Sequence, residues 1–125
     1  YQPFLVLVAP PADYDTYTGQ HVAKEDTDIV VRCSVMLSIV KAFPGTGTCC
    51  TGNAARIKGS LVYEMLSPES RAKEVLSIGH PTGTIQVTSI VEDDSGQLPK
   101  MKKVSFIRTA RVLMDGTTYV RKSVL

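Results

Sequence analysis

The feature that most constrains the fold is an apolar run bounded by Asp28 and Lys41. Apolar residues recur within it at spacings of three and four, which favours an α-helix, and the charges at its two ends match the helix dipole. The apolar positions, which leave the segment almost no polar side, are Ile29, Val30, Val31, Cys33, Val35, Met36, Leu37, Ile39 and Val40. We therefore predict a helix over 28–41 that is buried on most sides by an enclosing sheet.

The remaining apolar segments predict the strands of such a sheet. Residues 4–8 are continuously apolar, which is typical of a strand buried on both faces, and residues 61–66 also favour a strand. Residues 84–91 alternate at period two, and residues 104–113 continue as a strand. Asp115-Gly116 then predicts a tight hairpin turn. The sequence therefore predicts an α+β fold whose second half is antiparallel sheet.

The length of 125 residues corresponds to one domain, so we predict a single domain over 1–125. The chain begins at Tyr1 and enters its first apolar segment within a few residues, so we expect it to be a piece of a longer polypeptide.

Charge and cysteine content exclude several classes of function. The net charge of +2, without a basic block, argues against a nucleic-acid partner or a membrane surface. No apolar run reaches the roughly 18 residues that a membrane-spanning helix needs. The three cysteines are odd in number and two of them are adjacent, so a disulfide framework is not expected, and no spaced set completes a metal site. We expect a reduced protein of the cytoplasm or another intracellular compartment.

The first candidate site is a loop of small residues that precedes a second, shorter helix predicted at 49–57. Unpaired backbone N–H groups at a helix start bind anions, and small side chains let a carboxylate approach them. A thiol at this position is a candidate acid, base or nucleophile. The alternative is a tight turn with inert cysteines. The candidate residues are Thr46, Gly47, Thr48 and Cys49 for binding and Cys50 for catalysis.

Two further segments offer hydrogen-bond donors. Gly79 and Gly83 flank a turn in which His80 and Thr82 could face a ligand, and an ordinary turn is the alternative. Alternation along the strand over 104–113 could point Arg108 inward, where a guanidinium pairs with carboxylates; the alternative is an arginine in solvent. The three segments share donors for a small carboxylate.

Three stretches carry a family resemblance, namely KAFPGTGTCCTGNAARIKGSLV, SIGHPTGTIQV and RTARVLMDGTTYV. Together they resemble the C-terminal lobe of the PrpF-type 2-methylaconitate cis–trans isomerases, and the resemblance extends from about Phe4 to Val120. It implies a diaminopimelate epimerase-like lobe, in which a curled antiparallel sheet wraps around a long buried helix. The helix predicted at 28–41 would then be that central helix.

The resemblance also implies an activity. Family members isomerise small unsaturated di- and tricarboxylates, such as 2-methylaconitate or aconitate, by proton transfer without a cofactor. The chain would supply one half of a cleft, and an N-terminal lobe of the same polypeptide would supply the main acid and base. Cys50 aligns with the family cysteine, while Cys49 is additional. The alternatives are an amino-acid epimerase or racemase of the same fold and a non-catalytic lobe. The expected partners are a small carboxylate substrate and the N-terminal lobe, and a homodimer is left open.

Overall fold

The computed structural model describes residues 4–36, 38–93, 95 and 98–124. These residues form a mixed sheet with three α-helices, so the predicted α+β class is confirmed. The strands are β1 (Leu5–Ala9), β2 (Tyr14–Asp15), β3 (His21–Val22), β4 (Ile29–Val35), β5 (Ser38–Ile39), β6 (Val75–His80), β7 (Gly83–Asp93) and β8 (Lys100–Phe106). The helices are α1 (Gly45–Ala54), α2 (Leu61–Met65) and α3 (Pro68–Ala72), and 3₁₀ turns span Lys24–Asp26 and Lys122–Val124.

The main sheet has the strand order β1-β4-β6-β7-β8, and β5 pairs with β4 beyond the end of β6. Its pairs are antiparallel except for a short parallel pair between β4 and β6, which joins Ile29 to Ile78 and Val30 to Gly79. Helix α1 packs on one face of the sheet, against β7 and β8. The β2–β3 hairpin lies on the other face, where the Tyr14 hydroxyl sits 2.9 Å from the place that a Cβ on Gly79 would take.

The prediction of a helix at 28–41 is wrong, because this segment forms β4 and β5. Burial along β4 alternates, with Ile29, Val31 and Cys33 fully buried and the residues between them only partly buried. Spacings of three and four occur by necessity in a run that is almost wholly apolar, and the β-branched residues that dominate it favour a strand. Leu37, which the predicted helix included, lies outside the described residues.

The helix that packs against the sheet is instead α1, which begins at Gly45 rather than at Cys49. It has few apolar side chains and lies close to the sheet because its own residues are small. A Cβ on Gly52 would stand 2.6 Å from a methyl group of Val87, and one on Gly47 would stand 3.1 Å from the ring of Phe43. Glycine at these positions therefore permits the close approach of helix and sheet.

Two strand predictions also need correction. Residues 61–66 contain α2, because the Ser60 hydroxyl accepts a hydrogen bond from the Tyr63 amide at 3.1 Å and caps a helical turn. The prediction at 4–8 is correct that a strand forms, since β1 spans Leu5–Ala9, but β1 is an edge strand and is not buried on both faces. Leu5 and Leu7 are 62% and 55% exposed, since they point away from α1 and no element covers them within the described part of the chain.

The strand predicted over 104–113 ends at Phe106, and the hairpin predicted at Asp115-Gly116 does not form. Residues 107–121 carry no regular secondary structure, and their side chains are exposed. A two-stranded hairpin is marginal in water unless it buries an apolar face against another element. Within the described residues no such element lies beside this tail, so the apolar side chains of the tail find no partner.

Candidate active site

The start of α1 leaves backbone donors free. The Thr48 amide donates to the Pro44 carbonyl at 2.8 Å, so the amides of residues 45–47 precede the first hydrogen bond of the helix. Pro44 provides no side-chain cap, and the first turn contains no acidic residue. This end of the helix therefore carries uncompensated partial positive charge.

An open cleft of about 480 Å³ lies beside these amides. It is lined by Gly45, Thr46, Cys49, Phe106 and Arg108. The ring of Phe106 occupies the place that a Cβ on Gly45 would take, so any larger residue there would displace the ring. Three of the predicted site residues, Thr46, Cys49 and Arg108, thus come together around backbone donors. Phe106 was not among the predicted residues, although its position two residues before Arg108 places it on the same side of an extended chain.

The other predicted residues of α1 do not line this cleft. Gly47 and Thr48 are buried, and the Thr48 hydroxyl donates to the Pro44 carbonyl at 3.0 Å. Cys50 is exposed and lies on another flank of the helix, where it lines an apolar groove with Val6 and Val8 of β1. The thiol beside Arg108 is therefore that of Cys49, and a catalytic role for Cys50 stays a prediction.

The three thiols should differ strongly in reactivity. Cys33 is 1% exposed, and burial raises the pKa of its thiol, whereas Cys50 is exposed. We expect iodoacetamide at pH 7.5 to label Cys50 first and to label native Cys33 at least roughly tenfold more slowly, because the attacking species is an accessible thiolate. Peptide mass spectrometry against reaction time measures this order. Equal labelling of Cys33 in the native and urea-unfolded chain would contradict the burial of β4.

The His80–Gly83 turn is held by its own histidine. The Thr82 amide donates to His80 Nδ1 at 3.4 Å, and the Thr82 hydroxyl is 3.2 Å from the same atom. Burial and the nearby Arg32 charge lower the pKa of His80 and outweigh the opposing hydrogen bond to the Thr84 backbone, so the ring is neutral at pH 7. These contacts match the alternative of a histidine-capped turn, and binding of substrate by His80, Thr82 or Gly83 stays a prediction.

The two candidate segments lie at the same end of the sheet. Strand β6 ends at His80 and β7 begins at Gly83, and β8 runs antiparallel to β7 and ends at Phe106, which packs on Gly45. The start of α1 therefore faces the same end as the turn. Across residues 4–36, 38–93, 95 and 98–124, no hydrogen bond joins the turn to α1.

The described residues contain no group of three His, Cys, Asp or Glu side chains placed to hold a metal ion. Among the same residues, every helix is too short or too polar to cross a membrane.

The chain is similar to isomerases over almost its whole length. It is 41% identical over 124 residues to the 3-methylitaconate isomerase of Eubacterium barkeri, and 38% identical over 120 residues to the 2-methyl-aconitate isomerase of Shewanella oneidensis. These alignments cover 98% and 96% of this chain but 31% and 30% of the two relatives. The chain therefore spans about a third of the length of the curated relatives it matches.

A solved structure shows the same fold. The crystal structure of a methylitaconate-delta-isomerase matches with a TM-score of 0.68 and 30% identity, over 96% of this chain and 33% of the other. This match confirms the predicted diaminopimelate epimerase-like fold class. Residues 1–121 match the family described as PrpF protein. The chain therefore belongs to the PrpF family, as its sequence motifs predicted.

Proposed function

We propose that this chain forms one half of the substrate cleft of an isomerase that acts on small unsaturated di- or tricarboxylates, such as 2-methylaconitate or aconitate. The observation that carries the proposal is the cleft at the start of α1, where free backbone amides, Thr46 and Arg108 supply donors around one small space. The names of the relatives support the same class of substrate. In this proposal residues 1–125 are the C-terminal lobe, and the other half of the cleft belongs to an N-terminal lobe of the same polypeptide.

The chemistry that such a cleft would assist is a proton transfer. A base removes a proton from a carbon next to the double bond, and the electron pair delocalises into the adjacent carboxylate. The α1 amides and the Arg108 guanidinium would stabilise this growing negative charge, because fixed donors need no reorganisation during the reaction. Return of the proton, with rotation or migration of the double bond, gives the isomer. These steps require a base, an acid and an anion site, so the proposal includes no cofactor.

Binding of a non-reacting tricarboxylate tests this cleft. We expect calorimetric titration of the chain with tricarballylate to show millimolar binding, and Arg108→Met to weaken it roughly tenfold through loss of a charge-assisted contact. Arg111→Met is the matched control, since Arg111 lies in the same tail but does not line the cleft. Absence of binding at tens of millimolar ligand would refute the site, and equal losses in both variants would refute the role of Arg108.

A further inference from the structure

Two cations on the face opposite α1 are held on aromatic rings. The Arg32 guanidinium lies 5.0 Å from the centre of the Tyr14 ring, and Lys41 Nζ lies 4.1 Å from the centre of the Tyr17 ring. Both tyrosines belong to the segment that forms the β2–β3 hairpin and its turn. Contacts of this kind fix a long cationic side chain over the ring and leave its other N–H groups available.

The strand register brings these two cations together. Strands β4 and β5 pair Ser34 with Ile39, and the Val40 amide donates to the Cys33 carbonyl at 2.9 Å, which continues the same register. Arg32 precedes this bonded pair in β4, and Lys41 follows it in a bend just after β5, so the two residues are neighbours on adjoining segments. Because both contact rings of the same hairpin, their side chains lie on the same face of the sheet. Like charges in this arrangement destabilise a strand pair.

No acidic side chain neutralises this pair within the described residues, where no Asp or Glu oxygen lies within 4 Å of either cation. Among the described residues, Lys102 and Lys103 likewise lack such a partner, whereas four other cations have one. The pairs are Lys24 with Glu25, Arg71 with Glu64, Lys73 with Asp28, and Lys100 with Glu92. One N–H group of Arg32 is used by the Val31 carbonyl, at 2.8 Å, which leaves most of the guanidinium free.

The hairpin that holds the two cations is itself anchored. The Tyr14 hydroxyl donates to the Gly83 carbonyl at 2.7 Å, and the Tyr17 amide donates to the Pro81 carbonyl at 2.8 Å. Both bonds join the hairpin to the turn between β6 and β7. The Tyr14 ring and the backbone of Tyr17 are therefore fixed to the sheet, so both cations contact an anchored hairpin before any ligand arrives, which lowers the entropic cost of binding.

We propose that Arg32 and Lys41 form a binding site for a small dianionic oxyanion, a phosphate or a dicarboxylate, on the face of the sheet opposite α1. The guanidinium fork would take two oxygens and the ammonium a third, and the bound charge would relieve the repulsion between the two side chains. The site shares no residue with the cleft at the start of α1. It therefore stands or falls separately from the proposed isomerase function.

Anion titrations of four forms of the chain test this site. Binding of inorganic phosphate and of succinate is measured by calorimetry, with sodium chloride at equal ionic strength as the reference and amide chemical shifts to locate the ligand. We expect Lys41→Gln to weaken binding roughly tenfold and Lys41→Arg to retain it. Lys102→Gln is the matched control, because it removes an exposed lysine from β8.

The outcomes separate the two anion sites and the two ligand sources. Shifts at Arg32 and Lys41 that vanish in Lys41→Gln would support the proposal, and the tighter of phosphate and succinate would identify the ligand class. Equal affinity in Lys41→Gln and Lys102→Gln would overturn it, as would an equal response to sodium chloride. Binding that moves only the amides of residues 45–49 would also overturn it while leaving the isomerase cleft intact.

Discussion

Replacement of Asp28 by Ala is expected to destabilise the fold by about 2–4 kcal/mol, because it leaves the Ser70 hydroxyl and the Ser77 amide without their acceptor. The Asp28 side chain is 6% exposed and accepts hydrogen bonds from the Ser70 hydroxyl at 2.6 Å, Lys73 Nζ at 2.7 Å and the Ser77 amide at 2.8 Å. These donors lie on or beside α3 and β6, so one carboxylate, on the residue just before β4, joins the start of β4 to both. Urea unfolding at pH 7 measures the loss.

The matched variant for this prediction is Lys73→Met. Lys73 is 54% exposed, and its removal leaves Asp28 with the Ser70 and Ser77 donors, so we expect a clearly smaller loss than in Asp28→Ala. Equal losses would mean that the ion pair, and not the buried hydrogen bonds, carries the stability.

The same carboxylate predicts a pH dependence. Burial raises the pKa of Asp28, but the hydrogen bonds from Lys73, Ser70 and Ser77 outweigh this effect and hold the pKa below its ordinary value. Its contribution to stability is therefore fully present above the unfolded-state pKa of about 3.9 and is lost as the pH falls through the lower pKa of the folded state. In Asp28→Asn this acid-induced loss should be absent from the stability curve.

Replacement of Gly52 by Ala should have the second-largest effect, a loss of about 1–3 kcal/mol through overpacking. A Cβ at this position would stand 2.6 Å and 3.2 Å from the two methyl groups of Val87, which is fully buried. Helix α1 would have to lift from β7 and would displace the cleft residues Thr46 and Cys49. We therefore expect tricarballylate affinity to fall together with the unfolding free energy.

Gly116→Ala is the matched control for Gly52→Ala. No atom lies within 4 Å of a Cβ added at Gly116, so this variant should unfold within about 0.5 kcal/mol of the original chain. If Gly52→Ala had the same unfolding free energy as Gly116→Ala, the packing of α1 would not depend on the close contact with Val87.

The parts of the fold that the sequence predicted are those in which one pattern has one explanation. The alternation over 84–91 is compatible only with a half-buried strand, and it forms the centre of β7. The segment from Ile29 to Val40 is apolar at almost every position, so helical and strand periodicities are both satisfied there. The segment forms a strand because it pairs with β1 and β6, and the sequence of the segment alone does not contain this information.

The candidate site could likewise be predicted only in part from the sequence. The small residues before and within α1 predict a helix start with free amides, and Thr46, Cys49 and Arg108 do meet there. Successive residues of a helix point in different directions, so Cys49 faces the cleft and Cys50 does not. The sequence could not indicate which of the two adjacent thiols this would be. The proximity of Arg32 and Lys41 depends on the pairing of β4 with β5, which a predicted helix over the same residues excludes.

The short parallel contact between β4 and β6 determines where the sheet should open first during local unfolding. Backbone pairing there covers two positions, while the flanking antiparallel pairs β1–β4 and β6–β7 cover five and six. The sheet thus consists of two antiparallel parts, one with β1 and β4 and one with β6, β7 and β8, which are joined by few backbone pairs. The Asp28 carboxylate also links the two parts by accepting a hydrogen bond from the Ser77 amide. Local opening should begin between β4 and β6, and the two antiparallel parts would separate there before either one opens at its ends.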